Sequence, residues 1–414
     1  MSATPGTELG AALVRAVEDQ FEAAQVPWLQ RLVEQPSHTY AREDVEAAAR
    51  IIDERASELG LTVERVADPG GKFADHRIYA TAATTAEDRT VALVGHVDTV
   101  FPRKLGFLEF RREGDGIYGP GVLDMKSGIS EVLFALEAVK RAAPAVYAGL
   151  RARVVIVSDE EVGSPSSHAL YKRLAPVTTA GLVFESGRKQ DRIVTARKGG
   201  GVYTITAHGK AAHAGVNHAA GVNAIHALAL IVARIEGMTD YARGVTLNVG
   251  LFEGGTAKNT VPERAAIQVD ARYQTLADAE RVTAALFDLQ REPFAGIEGV
   301  PERLRGVRVE VSGGLTRPPM EASAATQRLR LAYEPYAAAA GLQVGEAALQ
   351  GGGSDANLLV ALGVPCIDGL GPFGEFFHEV QEWSSLTSLR RRTAALACWL
   401  ADLAARPFGD EAAR

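Results

Sequence analysis

The sequence predicts an α/β protein: a discontinuous domain on a mostly parallel sheet, with a second, ferredoxin-like α+β domain inserted in it. Three observations lead there. Short apolar β-rich runs alternate with helical ones through the first half of the chain, the order that builds a parallel sheet covered on both faces. After about Arg197 the order changes to β-α-β-β-α-β, the ferredoxin-like succession. From Arg317 the first alternation resumes, so the outer domain comprises residues 1–198 and 316–414 and the insertion residues 199–315. The 414 residues exceed one core, and 47% hydrophobic with 23% charged residues excludes disordered and fibrous classes.

The elements follow in order. Ala11–Glu34 and Glu43–Leu59 carry apolar residues at helical spacing, the second stopping at Gly60. Leu61–Val66, Val91–Val94, Val154–Val157 and Gly181–Phe184 read as strands, with a helix over Gly128–Ala142. In the insertion Tyr203–Ala207 alternates as a strand, Val222–Ile235 is an apolar helix, and Thr246–Phe252 and Ala265–Tyr273 are strands. A helix over Leu276–Gln290 and a strand over Val307–Val311 complete it. The outer domain closes with a helix over Ala322–Ala340, a turn at Gly351-Gly352-Gly353 and a helix over Leu386–Ala405. No internal repeat interrupts this order.

Composition narrows the function. Lys and Arg number 44 against 51 Asp and Glu, a net charge of −7 with no basic stripe, which argues against nucleic acid as a partner. Cys366 and Cys398 are the only cysteines, too few for a disulfide framework, and they are expected to pack as small hydrophobes. The run Met1-Ser2-Ala3-Thr4-Pro5-Gly6 does not read as a leader, and no apolar stretch reaches membrane-spanning length. The expected location is cytoplasmic, with no membrane partner.

The residues that carry chemistry stand where strands end. Open α/β sheets bind ligands at the carboxyl ends of their strands. There Val91–Val94 runs into Gly95-His96-Val97-Asp98-Thr99, and residues two apart in extended chain share a side, so the Asp98 carboxylate is placed to orient the His96 ring. His96 by itself reads equally as a metal ligand or a structural imidazole. Val154–Val157 runs into Ser158-Asp159-Glu160-Glu161; neighbouring carboxylates in extended chain face opposite ways, one toward a metal and one toward a substrate as general base. The bland reading of that pair is a solvated acidic turn. The turn Gly119–Gly128 presents Asp124, the third strand ends at Glu185, and a late loop offers His378. Together these make a site for two divalent ions bridged by one carboxylate.

Four ordered motifs give the chain a family. Gly95-His96-Val97-Asp98-Thr99-Val100-Phe101-Pro102, Gly119-Pro120-Gly121-Val122-Leu123-Asp124-Met125-Lys126-Ser127-Gly128, Ser158-Asp159-Glu160-Glu161-Val162-Gly163-Ser164 and Gly209-Lys210-Ala211-Ala212-His213-Ala214-Gly215 span most of the sequence. With them the chain resembles the dinuclear-zinc metallopeptidase family of aminoacylases, deacylases and glutamate carboxypeptidases, and within it the carboxypeptidase G type. The resemblance implies a zinc-peptidase catalytic domain and an inserted lid and dimerisation domain.

It also implies roles. His96, Asp124 and Glu185 hold one zinc, Asp124, Glu161 and His378 the other, and Glu160 takes the proton of a water activated between them. Cobalt or manganese would suit the same ligands. His213 reaches the partner subunit's site to stabilise an oxyanion, with a solvated structural role as its alternative. Asn259 contacts the reacting carbonyl or the substrate carboxylate, or is a turn residue. Arg272 grips a free carboxylate. Arg317 is a second candidate, for a glutamate side chain, or else an ordinary surface arginine, and the Gly351–Gly353 turn, Gly352 at its centre, is either an anion cradle at a helix start or a packing turn. His208, His218 and His226 match nothing. Family members often carry a cis peptide after the bridging Asp, here Asp124-Met125.

The expected protein is thus a homodimeric zinc exopeptidase cleaving an amide beside a free carboxylate and releasing glutamate from N-acyl or folate-type conjugates. The alternatives are an N-acyl-amino-acid deacylase of the acetylornithine or succinyl-diaminopimelate type, a dipeptidase, and, from another class, an inactive binding homologue.

Overall fold

A computed structural model describes residues 7–406 and 408. The N-terminal run Met1 to Gly6, on which the absence of a leader was read, lies outside the described residues. The chain divides into two compact units, one drawing on the segments up to Ala196, Ala322–Gln350 and from Ser354 on, the other on Arg197–Glu321 with Gly351–Gly353.

The first unit is built on a six-stranded sheet in the order Thr62–Val66, His76–Ala80, Ala152–Val157, Thr90–His96, Thr178–Val183, Cys366–Ile367. The last four run parallel, and the first two add an antiparallel edge that the sequence reading passed over in part. Every residue of Thr90–His96 and Ala152–Val157 is buried, which is why both read as unbroken apolar runs rather than alternations. Their register sets His96 beside Val157 and Val94 beside Val183. Three adjacent parallel strands therefore end at one level, and their next residues share one edge.

Helices cover the sheet. Glu8–Gln20, Ser127–Ala142, Ala324–Ala339 and Leu386–Ala405 pack on one another. Ser127–Ala142 is buried nearly all round, with Leu133, Phe134 and Leu136 at 0% exposure; each such side chain contributes about 1.5–3 kcal/mol by leaving water. The helix expected over Ala11–Glu34 forms as Glu8–Gln20 and Val26–Glu34 joined through a wider turn, where the Val26 N–H reaches the Phe21 carbonyl. Pro27 has no N–H for the ordinary ladder, which favours that widening. Cys366 and Cys398 are free and buried. A second, small antiparallel sheet orders Gly374–Glu375, Trp383–Ser385, Gly116–Tyr118 and Arg111–Glu113.

The second unit is an antiparallel sheet in the order Arg308–Arg317, Gly199–His208, Arg264–Tyr273, Thr246–Gly254, with helices Ala224–Glu236 and Leu276–Asp288. Numbered along the chain this is 4-1-3-2, the ferredoxin-like sheet. Tyr203, Ile205, Ala207, Ile267, Val269 and Ala271 alternate into the core with Leu228, Ile231 and Val282 from the helices. The first strand starts four residues before its hydrophobic alternation, because Gly199-Gly200-Gly201 carry no side chain to alternate. A Cβ at Gly201 would meet the Tyr273 hydroxyl at 2.3 Å, so the strand passes there only as glycine. Arg197 and Met320 exchange backbone hydrogen bonds of 3.0 Å where the chain enters and leaves the unit. No helix among the described residues is long and apolar enough to cross a membrane.

Candidate metal centre

The shared edge of the parallel strands gathers the acidic and imidazole groups of the first unit. His96 is the last residue of its strand and 1% exposed. Its Nδ1 lies 3.0 Å from the Asp98 carbonyl; a carbonyl only accepts, so Nδ1 carries the hydrogen and a neutral ring presents its lone pair at Nε2. That atom stands 3.1 Å from Asp124 Oδ1 and 3.6 Å from Glu185 Oε1. On the other side of the same carboxylate, His378 Nε2 lies 3.2 Å from Asp124 Oδ2 and 3.1 Å from Glu161 Oε2. Each oxygen of Asp124 thus faces one imidazole, and each imidazole faces a second carboxylate. The Asp124-Met125 peptide is cis.

Two sequence-based expectations are corrected here. The Asp98 carboxylate does not make the short contact to His96; its nearer oxygen is 3.5 Å from Nδ1, and the backbone carbonyl does the orienting. Instead the fully buried carboxylate accepts from Thr39 Oγ1 at 2.8 Å and from the N–H groups of Glu160 and Glu161 at 3.3 Å, so it positions the Glu160-Glu161 segment. Nor is that segment extended: Glu160–Val162 forms one helical turn closed by the Gly163 N–H on the Glu160 carbonyl. The turn forms because Asp159 folds the chain back, accepting from Ser166 N, Ser167 N and Ser167 Oγ. The two carboxylates consequently do not diverge. Glu160 groups with His96 and Glu185, and Glu161 with His96 and Asp124, donor atoms within 4.8 Å of one another in each group.

Electrostatics follow from crowding. Burial and the charge of Asp124 push the Glu161 carboxyl up to about 8, and the same two causes raise Glu185. Hydrogen bonds to Asp124 and Glu161 push His378 up to about 10. Burial works against a charged His96, but Asp124 and Asp98 outweigh it and raise that ring as well. Burial opposes ionisation of Asp124 too, yet its two imidazole partners hold it well below the carboxylate range. Four carboxylates around two imidazoles make a concentration of negative charge that calls for cations, protons in one state and metal ions in another. The donor set, imidazole nitrogen with carboxylate oxygen on each side of a shared Asp, fits a pair of divalent ions.

Other predicted residues lie in the second unit. His213 is exposed, and its Nδ1 accepts from the N–H groups of Gly215 and Val216 at 3.1 and 3.2 Å; the neutral ring therefore carries its hydrogen on Nε2. The Ala214 N–H donates to the Asn259 carbonyl at 2.9 Å, so these two residues share one corner. Arg272 turns its Nε and Nη2 to Asp270 at 2.8 and 2.9 Å. That edge is already on a carboxylate, and the outer edge, with both Nη1–H groups and the second Nη2–H, is left for another. Arg317 lies with its aliphatic stem against Gly353, and the Gly352 carbonyl accepts from Arg197 Nη1 at 3.0 Å. The helix that follows the glycine turn, Asp355–Ala361, is capped from within: Ser354 Oγ accepts from the Ala356 N–H and Asn357 Oδ1 from the Ser354 N–H.

Sequence reasoning missed Glu382. It is fully buried, and its carboxylate accepts from the N–H groups of Gly121, Leu123 and Asp124 at 3.1, 2.7 and 2.9 Å. Lys126 was missed as well; buried behind the same turn, it donates to the Gln35 carbonyl at 2.9 Å, and burial lowers it to about 7. Neither carries a local signal beyond the four-residue step from His378 to Glu382.

Comparison with known proteins gives the class first: residues 195–296 match the peptidase dimerisation domain of the M20 group. Among individual proteins, carboxypeptidase G2 of Pseudomonas sp. (strain RS-16) is 29% identical over 396 residues, 95% of this chain and 92% of that one. Among solved structures, aminopeptidase PepT of Bacillus cereus superposes with a TM-score of 0.73 at 23% identity, covering 93% of this chain and 99% of that one. The Bacillus subtilis YXEP protein, described as a dinuclear metal binding peptidase from the M20 family, superposes at 0.66 with 15% identity, covering 92% and 98%. The resemblance drawn from the four motifs therefore holds: this is a chain of M20 metallopeptidase fold that carries the peptidase dimerisation domain.

Proposed function

We propose that the protein is a dinuclear metallohydrolase, an exopeptidase that cleaves the amide beside a free carboxylate, with glutamate as the preferred leaving amino acid. One observation carries the reading: Asp124 sets one oxygen toward His96, whose Nε2 also faces Glu185, and the other toward His378, whose Nε2 also faces Glu161. His96, Asp124 and Glu185 would hold one zinc, and Asp124, Glu161 and His378 the second. Held there, such ions polarise a scissile carbonyl and make water acidic near neutral pH.

The chain's own groups do the rest. Glu160, set by the Asp98 carboxylate, takes the proton of the attacking water and passes it to the leaving nitrogen. His213, with Nδ1 tied to its own turn, offers Nε2–H to the oxyanion of the partner subunit's substrate. Asn259, on the same corner, contacts the carbonyl or the substrate carboxylate. Arg272 meets that carboxylate through its outer Nη1 and Nη2 edge while Asp270 keeps the guanidinium plane fixed. The dimer forms through the second unit.

The test is amide hydrolysis by zinc-loaded protein on N-acyl-glutamates, a pteroyl-glutamate, N-acetylornithine, succinyl-diaminopimelate and simple dipeptides. Preference for the glutamate conjugates supports the assignment. Preference for acetylornithine or succinyl-diaminopimelate keeps the metal chemistry and discards the substrate, and no hydrolysis at all discards the enzyme.

A further inference from the structure

We infer that Glu382 is a positioning residue that locks the loop bearing Asp124 to the loop bearing His378, so that the metal centre is formed before any ion arrives. This rests on the reading of Asp124 and His378 as metal ligands. The two loops stand some 250 residues apart in sequence, and the small antiparallel sheet joins them. Gly116–Tyr118 leads directly into the turn that carries Asp124, and Trp383 pairs with Tyr118. On the other strand, Gly374–Glu375 and Trp383–Ser385 are the arms of a hairpin whose connection carries His378. Glu382 ends that connection, and a side chain there reaches across the strand pair to the neighbouring turn.

What it meets is a concavity of backbone N–H groups. Gly121 adopts φ 72°, and the N–H groups of Gly121, Leu123 and Asp124 converge on the one carboxylate. The turn admits no side chain at its centre: a Cβ on Gly121 would stand 2.6 Å from Thr99 Cγ2, besides the strain of its positive φ. A carboxylate offers two oxygens with enough lone pairs for three donors, whereas an amide of the same shape turns an NH2 group toward N–H donors. Glu382 therefore fixes the direction of the Asp124 backbone through Asp124's own N–H, and the position of His378 through the loop they share. Partners of this kind behind a ligand are worth about 10–100-fold in metal affinity.

The experiment titrates metal-free protein with Zn2+ against a chromogenic chelator, and with Co2+ to read coordination from its visible absorption. Glu382→Gln is expected to bind zinc about 10–100-fold more weakly and to give an altered cobalt spectrum. Asp115→Asn serves as the control, because Asp115 anchors the same small sheet through Ser385 Oγ and the Thr387 N–H and touches no ligand. It should lower thermal stability and leave zinc affinity unchanged. Equal zinc affinity in Glu382→Gln and wild type overturns the inference, as does an equal loss in Asp115→Asn. Wild type that binds no zinc sinks the metal reading and this inference together, whereas normal wild-type binding with an unaffected variant sinks this inference alone. Should Glu382→Gln not fold, amide exchange in metal-free wild type decides: slow exchange at Gly121, Leu123 and Asp124 supports a preformed lock, and fast exchange refutes it.

Discussion

The polar residues of the two units are built in opposite ways. In the first unit, His96, Asp124, Glu161, Glu185 and His378 are held mostly by groups far away in the chain: Asp98 on the Glu160-Glu161 turn, Glu382 on the Asp124 turn, Asp124 between two imidazoles. In the second, His213 leans on Gly215 and Val216, and Arg272 on Asp270 two residues before it. In the first arrangement His96 and Glu185 are buried and Asp124 and Glu161 half-buried, with the more exposed His378 closing it from outside. The second is exposed and locally tied. Preorganised, water-excluded groups contribute most to catalysis, because they are not reorganised at the moment of reaction. On the proposed function the first set would hold the metal ions, and the second would meet the substrate, His213 at its oxyanion and Arg272 at its carboxylate.

If that contrast is right, substitutions should grade in effect from the first set to the second. Asp124→Ala should do most: with the shared carboxylate gone, elemental analysis should find neither ion retained and turnover should fall to background. Retention of both ions would mean that Asp124 is no bridge. Glu160→Gln comes next. It should keep the metal while kcat falls by roughly 10²–10⁴, the range for a lost general base, and an undiminished rate would remove Glu160 from the mechanism.

His213→Ala tests the locally tied set. Loss of one oxyanion donor costs about 10²–10³ in kcat, here with metal content intact. Mixing it with Glu160→Gln under subunit exchange should restore activity, because the mixed dimer holds one site with both residues. No restoration, or a monomeric mass in solution, would end the role across subunits. Arg272→Lys should act on KM more than on kcat, raising it about tenfold, since an ammonium lacks the planar fork of a guanidinium; an unchanged KM for glutamate conjugates would place carboxylate recognition elsewhere.

The smallest effect belongs to a carboxylate in the first unit that is nonetheless locally built. Asp68 accepts from the N–H groups of Gly70, Lys72 and Phe73. Burial opposes its ionisation, but those N–H groups together with Ser166 outweigh it and lower it from 3.8 to about 2. A folded pKa below the unfolded one gives stability that is present above about pH 4 and is lost as the pH falls toward 2. The thermal stability of Asp68→Asn should therefore lie below wild type near neutrality, by less than about 1 kcal/mol given its exposure, and the gap should close between pH 4 and 2. A gap that widens on acidification would refute the sign.

Much of this was written locally. Buried parallel strands are continuous apolar runs, so Val91–Val94 and Val154–Val157 and the polar residues just beyond them could be read directly, and the closing helix stands at Leu386–Ala405 as its periodicity predicts. The insertion's β-α-β-β-α-β order was equally plain. Less visible were strands without side-chain alternation, as at Gly199–Gly201, and the two-to-three-residue strands of the small sheet, whose central pair, Gly116–Tyr118 with Trp383–Ser385, joins segments hundreds of residues apart.

By itself, then, the sequence determined which residue types stand at strand ends and in which order, because apolar periodicity and chain direction are properties of neighbouring residues. Only the tertiary structure decided what those residues touch. It turned Asp98 from the His96 ring to the Glu160-Glu161 turn, coiled that turn through Asp159, took the N–H groups after Gly353 for Ser354 and Asn357, and set Glu382 under Asp124. The reason is physical. A buried carboxylate must find donors wherever the fold brings them, and that placement follows from the register of paired strands and not from the spacing of letters along the chain.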